Sequence, residues 1–145
     1  MFALSLLSFG FGRKAPRPAR LKILIADDNL DGVKTLAALL ESEGHDVRGV
    51  GSSLEALRAE LEYRPDVVIL DLQMPDVGGY DLARWWRSRH KTHCPLLIAI
   101  SGQYTRPTDG ARARAAGFDH YLVKPYHFHA LAGLIALLLR PAALN

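Results

Sequence analysis

The chain has 145 residues, of which 49% are hydrophobic and 23% are charged, as expected for one globular domain with a hydrophobic core and no room for a second. The net charge is +3, but residues 1–20 contribute four cations and no acid, so the remainder is close to neutral. The globular part therefore lacks the basic surface of a nucleic-acid-binding domain.

Residues 1–20 differ from the rest of the chain. They begin with an apolar stretch that no cationic segment precedes, unlike a secretory signal peptide. The stretch is also shorter than the roughly 20 apolar residues that span a bilayer. We expect a flexible basic leader over 1–20, without membrane contact, a folded domain over 21–141 and a short tail over 142–145. The single cysteine, Cys94, excludes an internal disulfide and suits the reducing cytoplasm.

Short apolar runs then alternate with longer stretches of helical periodicity, which is typical of a parallel α/β sheet. The first strand is predicted over 22–27, and the helix that follows it ends near Gly44. The second strand is predicted over 46–50, and Ser52 and Glu55 predict a capping box for the second helix. The apolar residues of the first helix are Leu30, Val33, Ala37 and Leu40. Those of the second are Leu54, Leu57 and Leu61.

Three more units complete the pattern. Their strands are predicted over 67–71, 96–101 and 120–123. Their helices are predicted over 80–89, in a short stretch ending at Gly117, and over 128–140, where Pro141 stops the helix. Adjacent helical residues point about 100° apart, so Trp86 is expected in the core and Trp85 at the surface. The order of elements predicts a flavodoxin-like (βα)5 three-layer α/β sandwich with the parallel sheet order 2-1-3-4-5.

Polar groups follow the strands at one edge of this predicted sheet. Asp27 and Asp28 close the first strand, Asp71 the third and Ser101 the fourth, while Lys124 follows the fifth. The carboxyl ends of parallel strands form the ligand crevice of such sheets. Three neighbouring acids raise each other's proton affinity unless a cation joins them, and Mg²⁺ prefers carboxylate and phosphate oxygens. The set therefore predicts a magnesium site at which a carboxylate attacks phosphorus.

These motifs resemble the receiver domain of two-component response regulators over residues 21–141. The matching segments are IADDN, VVILDLQMPDVGGYDLAR, IAISG and AGFDHYLVKPY. The resemblance implies that Asp71 accepts a phosphoryl group and that Lys124 bridges to the phosphate. The implied ligands of Mg²⁺ are Asp27, Asp28, Asp71 and the main-chain carbonyl of Gln73.

The resemblance also implies a two-state switch. Ser101 takes the place of the switch hydroxyl and Tyr121 that of the aromatic residue that changes rotamer, so phosphorylation alters the surface of the fourth helix, fifth strand and fifth helix. A cis peptide bond is implied at Lys124-Pro125. Two positions depart from the common pattern: Gly78 stands where many members have Asp, and Gln73 lies beside the phosphorylation site.

The resemblance implies that the phosphoryl donor is a histidine kinase or a histidine phosphotransfer protein. The segment GFDHYLVKP is similar to receivers attached to hybrid histidine kinases, although no kinase sequence is present in the chain. The family resemblance as a whole implies a bacterial, cytoplasmic signalling protein. No output domain is expected after the fifth helix, and no direct binding of nucleic acid. That helix is apolar on nearly every side, which indicates either a wide core contact or a surface for a homodimer or another partner.

Two alternatives remain open. A phosphohydrolase of the haloacid dehalogenase type would use Asp71 as its nucleophile, but that family usually has a second acid where Gln73 stands. A receiver-like interaction module without phosphorylation would not need the complete set of acids, hydroxyl and lysine. As a phosphoacceptor, the chain would catalyse only its own phosphorylation and dephosphorylation at Asp71. No metal site is expected from His90, His93 and Cys94.

Overall fold

The computed structural model describes residues 20–102 and 108–139. Five parallel strands form one sheet in the order β2-β1-β3-β4-β5. The strands are β1 (Lys22–Ala26), β2 (Asp46–Val50), β3 (Val67–Asp71), β4 (Leu96–Ser101) and β5 (His120–Val123). The flavodoxin-like order predicted from the sequence is confirmed, and the strand boundaries agree except that β1 ends one residue earlier, at Ala26. The predictions for the leader and the tail lie outside the described residues.

Helices cover both faces of the sheet. They are α1 (Leu30–Ser42), α2 (Ser53–Tyr63), α3 (Gly79–Arg89), α4 (Asp109–Ala116) and α5 (Phe128–Ala136). Helices α1 and α5 pack on one face and α2, α3 and α4 on the other, which gives the expected three layers. After α5 the chain continues as a 3-10 turn over Leu137–Leu139, so the predicted fifth helix changes its hydrogen bonding before 140. None of the described helices is long and apolar enough to cross a membrane.

Two apolar layers form the core, one on each face of the sheet. Successive strand residues point to opposite faces, so β1 contributes Leu24 to one layer and Ile23 and Ile25 to the other. Every residue of β3 is buried because helices cover both of its faces. This burial fixes the central strands and the side chains that follow them.

The two tryptophans of α3 differ in burial, although less sharply than the sequence predicts. Trp86 is fully buried, as expected. Trp85 is half-buried rather than exposed, because its ring packs edge-on against Trp86 at a centroid distance of 5.6 Å. The guanidinium of Arg89 lies 5.4 Å from the centroid of the Trp85 ring, which covers part of its other side.

Helix α2 buries a different face from the one that its leucines indicate. Its buried residues are Ser53, Ala56, Ala59, Glu60 and Tyr63. Leu54 and Leu61 are 50% and 58% exposed, and Leu57 is only partly buried. The small alanines let α2 pack closely on the sheet, and Tyr63 Oη donates to the main-chain carbonyl of Asp46 at 2.8 Å. These contacts fix the rotation of the helix. Leu30, at the first position of α1, is also exposed.

The helix ends agree with the predicted capping signals. Ser52 Oγ accepts a hydrogen bond from the main-chain N–H of Glu55 at 3.1 Å, and Glu55 Oε1 accepts one from the N–H of Gly51 at 2.8 Å. Gly44 follows α1 with a φ of +97°, and Gly117 ends α4 with a φ of +117°. Both are left-handed conformations that favour glycine.

Two leucine variants test the observed orientation of the helices. Leu82→Ala is expected to lower the free energy of unfolding by about 2–5 kcal/mol, because it removes a fully buried side chain from the core. Leu61→Ala is expected to change it by less than about 0.5 kcal/mol, because that side chain is exposed. Denaturant unfolding of both variants measures the difference. Equal losses would mean that α2 turns its leucines toward the core.

Candidate functional site

The carboxyl edge of the sheet gathers the acids that the sequence singled out. Strands β1 and β3 are paired, with Ala26 opposite Leu70, so the residues that close them are neighbours. One carboxylate oxygen each from Asp27, Asp28 and Asp71 lies within 4.8 Å of the others. Within the described part of the chain, these three residues are the one group of this kind that could hold a metal ion.

Asp71 is the buried member of this group, with only 6% of its surface exposed. Its Oδ1 accepts a hydrogen bond from the main-chain N–H of Gln73 at 3.0 Å, which fixes the orientation of the carboxylate. Burial raises the pKa of Asp71 to about 6, and the neighbouring Asp27 adds to the increase. The hydrogen bond from Gln73 and the charge of Lys124 act in the opposite direction. A further cation close to this buried carboxylate would stabilise its charged form.

Lys124 brings a positive charge to the acids. Its Nζ donates to Asp27 Oδ2 at 3.0 Å and lies 3.8 Å from Asp71 Oδ2. Burial acts to lower the pKa of Lys124, but the hydrogen bond to Asp27 and the charge of Asp71 outweigh it and raise that pKa. Burial acts to raise the pKa of Asp27, but hydrogen bonds from Asn29 and Lys124 lower it overall. The expected cis bond at Lys124-Pro125 is present.

Ser101 and Tyr121, the two residues with an expected switching role, lie on the adjoining strands. Ser101 is buried at the end of β4, next to β3. Its main-chain carbonyl accepts a hydrogen bond from the N–H of Lys124 at 2.7 Å, which joins the ends of β4 and β5. Tyr121 is half-buried on β5, where it pairs with Ala99 and lines a cavity of about 560 Å³ between α4, β5 and α5.

Sequence reasoning did not assign a role to two residues near the site. Tyr126 follows the Lys-Pro pair and lines, with Asp27, Asp71 and Lys124, a cavity of about 220 Å³. Burial raises the pKa of its hydroxyl. Asp76, in the loop after Asp71, accepts hydrogen bonds from α2. The partner amides of Asp76 lie more than 20 residues earlier in the chain, so no local sequence signal reveals the contact.

The remaining candidates lie elsewhere. Gln73 is exposed at the start of the loop between β3 and α3, and its N–H contacts Asp71. His90 does not join His93 and Cys94 in a metal site among the described residues, and its ring hydrogen-bonds the buried carboxylate of Glu60. The contact between His90 and Glu60 therefore joins the C-terminal end of α3 to α2.

The raised pKa of Asp71 predicts how this acid affects stability in metal-free protein. A proton on Asp71 favours the folded state, and this contribution is complete below the ordinary pKa of 3.8 and lost as pH rises through about 6. Asp71→Asn is therefore expected to raise the free energy of unfolding at pH 8 by roughly 1–2 kcal/mol, with little gain at pH 4. Denaturant unfolding in EDTA at both pH values measures this. The control is Asp81→Asn on the exposed face of α3, and an equal gain in that variant would contradict the explanation.

Residues 23–136 match the family model of the response regulator receiver domain. The chain is 34% identical over 120 residues to the two-component response regulator PhoP of Pseudomonas aeruginosa, covering 83% of this chain and 52% of PhoP. It is 29% identical over 103 residues to the polar-differentiation response regulator DivK of Brucella anthropi, covering 71% of this chain and 83% of DivK. The chain thus spans about half the length of PhoP.

A solved structure shows the same fold in a complex. It holds the histidine phosphotransfer signalling protein Ypd1 and the receiver domain of its downstream response regulator Ssk1, from Saccharomyces cerevisiae. The match has a TM-score of 0.74 and 23% identity, and it covers 81% of this chain and 88% of that one. At this identity the likeness concerns the fold alone. Because the family model extends over most of the chain, the protein belongs to the family of response regulator receiver domains.

Proposed function

We propose that this receiver domain accepts a phosphoryl group on the carboxylate of Asp71. The observation that carries the proposal is the convergence of one buried carboxylate, two further acids and one ammonium at the edge of the sheet. A nucleophilic carboxylate must approach a phosphoryl group that is itself anionic, so positive charge has to lie close to both. Lys124, 3.8 Å from Asp71 Oδ2, supplies one such charge.

We assign the second charge to Mg²⁺, with Asp27, Asp28, Asp71 and the main-chain carbonyl of Gln73 as its protein ligands. The donor set consists of oxygen atoms, which a hard divalent cation prefers. The raised pKa of Asp71 supports the assignment, because it reflects a buried acid beside another acid. When bound, Mg²⁺ would neutralise the acids and the charge on the phosphoryl oxygens.

The protein groups then divide the chemistry between them. An oxygen of Asp71 forms a bond to phosphorus as the bond from phosphorus to the donor's histidine nitrogen breaks, and the imidazole keeps the electron pair. The N–H of Gln73 holds Asp71 in place through its other oxygen. Lys124 offsets negative charge on the phosphoryl oxygens, and the hydroxyl of Ser101 donates a hydrogen bond to one of them. Apart from forming and hydrolysing its own acyl phosphate, the domain turns over no substrate in this proposal.

The bound phosphoryl group acts on the surface formed by α4, β5 and α5, which we call the α4-β5-α5 surface. Attraction of Ser101 toward the phosphoryl group shifts the end of β4, and Tyr121, which is half-buried on the neighbouring strand, changes rotamer into the space that Ser101 leaves. The surface includes Leu137, which is 45% exposed after α5. A change at this surface alters the binding of a partner. The partner is either another protein or a second copy of the chain.

The donor in this proposal is a histidine kinase or a histidine phosphotransfer protein in the cytoplasm. The receiver of Ssk1 binds the phosphotransfer protein Ypd1, and we extend this kind of partner to the present chain. The exposed Gly102 beside Lys124 supports access by a bulky donor, because glycine leaves the entrance open.

Intact mass spectrometry tests the proposal directly. Incubation with Mg²⁺ and acetyl phosphate is expected to add one labile phosphoryl group, because the small donor replaces phosphohistidine. The adduct is expected to be absent in Asp71→Asn and in EDTA, and to persist in the control Asp81→Asn, whose residue pairs with Arg84 on the surface. Absence of the adduct in the folded wild type would refute the proposal, and so would sustained hydrolysis of phosphate esters.

The role of Lys124 gives a separate prediction. Lys124→Gln is expected to slow phosphorylation by acetyl phosphate roughly 10–100-fold, because it removes a charge that contacts both Asp27 and Asp71. The rate is measured at saturating Mg²⁺. Lys34→Gln, an exposed position on α1, is the control and is expected to keep the wild-type rate. An unchanged rate in Lys124→Gln would remove Lys124 from the chemistry.

A further inference from the structure

The loop between β3 and α3, residues 72–78, is tied to the first turn of α2. Asp76 Oδ1 accepts a hydrogen bond from the main-chain N–H of Ser53 at 3.1 Å, and Asp76 Oδ2 accepts one from the N–H of Leu54 at 3.0 Å. The fully buried Ser53 completes the contact, because its Oγ donates to the main-chain carbonyl of Val77 at 2.6 Å. Three hydrogen bonds therefore join the loop to a helix that lies earlier in the chain.

The contact provides hydrogen-bond acceptors for main-chain N–H groups that have no acceptor within α2. The first N–H groups of a helix have no partner within the helix. Ser52 Oγ accepts a hydrogen bond from the N–H of Glu55. Asp76 accepts hydrogen bonds from the N–H groups of Ser53 and Leu54. The hydrogen bond from Leu54 is the main reason that the pKa of Asp76 falls to about 2. The carboxylate of Asp76 is therefore charged at any pH near neutrality, where it also complements the positive end of the helix dipole.

The same loop follows Asp71 directly, and both of its ends are closely packed. The N–H of Gln73 donates to Asp71 Oδ1, and Met74 is buried in the core. At the far end, a Cβ on Gly79 would lie only 2.9 Å from the Cα of Leu72, so the two ends of the loop pack directly on each other. Only Met74 and Pro75 separate Gln73 from Asp76 in this closed loop, so we expect a change at Asp76 to alter the position of the Gln73 main chain.

We propose that Asp76 is a positioning residue for the phosphoacceptor site, because its carboxylate holds the loop in the orientation that presents the Gln73 main chain to Asp71 and to Mg²⁺. This inference rests on the proposed function. Asp76 is exposed and is not one of the three acids that gather at the sheet edge. It acts through Gln73 and does not contact the reacting atoms.

One variant in the loop and one at the start of α2 separate this role from simple helix capping. Asp76→Ala removes the carboxylate that joins loop and helix, whereas the control Ser52→Ala removes a cap of the same helix end and leaves the loop contact intact. Both variants are expected to lower stability. Only Asp76→Ala is expected to weaken Mg²⁺ binding, roughly tenfold, measured by calorimetry without any phosphodonor. It is also expected to accelerate hydrogen exchange at the amide of Gln73 in metal-free protein.

The outcomes distinguish this inference from the proposed function. Equal Mg²⁺ affinities and equal Gln73 exchange in Asp76→Ala and Ser52→Ala would overturn the positioning role. If Asp76→Ala does not fold, Asp76→Asn keeps one acceptor oxygen, and an intermediate Mg²⁺ affinity is the expected result; wild-type affinity and wild-type Gln73 exchange would overturn the role. Failure of the wild type to accept a phosphoryl group refutes the proposed function alone, because the calorimetry and the exchange measurement still decide whether Asp76 positions the loop.

Discussion

A buried carboxylate, that of Asp71, held beside two further acids at one edge of the sheet is the constraint on which the rest of this structure depends. Asp27, Asp28 and Asp71 close two paired strands, and the register of those strands keeps the acids together. The ammonium of Lys124 offsets part of their charge. Asp71 nevertheless keeps a pKa of about 6, chiefly because it is buried. A cluster in this state is stabilised by additional positive charge, which is the property that a site for a cation and a phosphoryl group requires.

The core and the connecting loops prevent Asp71 from moving into solvent or away from the other acids. Every residue of β3 is buried between two helical layers, so Asp71 cannot withdraw without disrupting both. Its carboxylate is also fixed by the N–H of Gln73. Protonation of Asp71 or the binding of a cation would therefore be the way to reduce the free-energy cost of the buried negative charge. If the site binds Mg²⁺ as proposed, the unfavourable free energy of the buried charge in the metal-free site adds to the free energy of binding, an exchange of stability for function that many active sites make.

Much of this arrangement could be predicted from the sequence because it depends on chain order. Continuous apolar runs define the strands, and the order of a doubly wound sheet brings Asp27, Asp28 and Asp71 together. The features that could not be predicted depend on contacts between distant segments. Helix α2 exposes Leu54 and Leu61 because packing of its alanines and the Tyr63 contact set its rotation. The contact of Asp76 with α2 is equally invisible to local periodicity.

The surroundings of Asp71 differ between the β4-β5 side and the α2 side. Toward β5, Ser101 accepts a hydrogen bond from the N–H of Lys124, and Tyr121 lies beside a cavity of about 560 Å³. A ligand shifts a conformational equilibrium only if it binds one arrangement better than another, so a switch needs a second arrangement that the packing allows. Toward α2, three hydrogen bonds and the close packing of Gly79 on Leu72 hold the loop in one arrangement. If Asp71 is phosphorylated as proposed, we therefore expect the change on the β4-β5 side, while the α2 side stays in place.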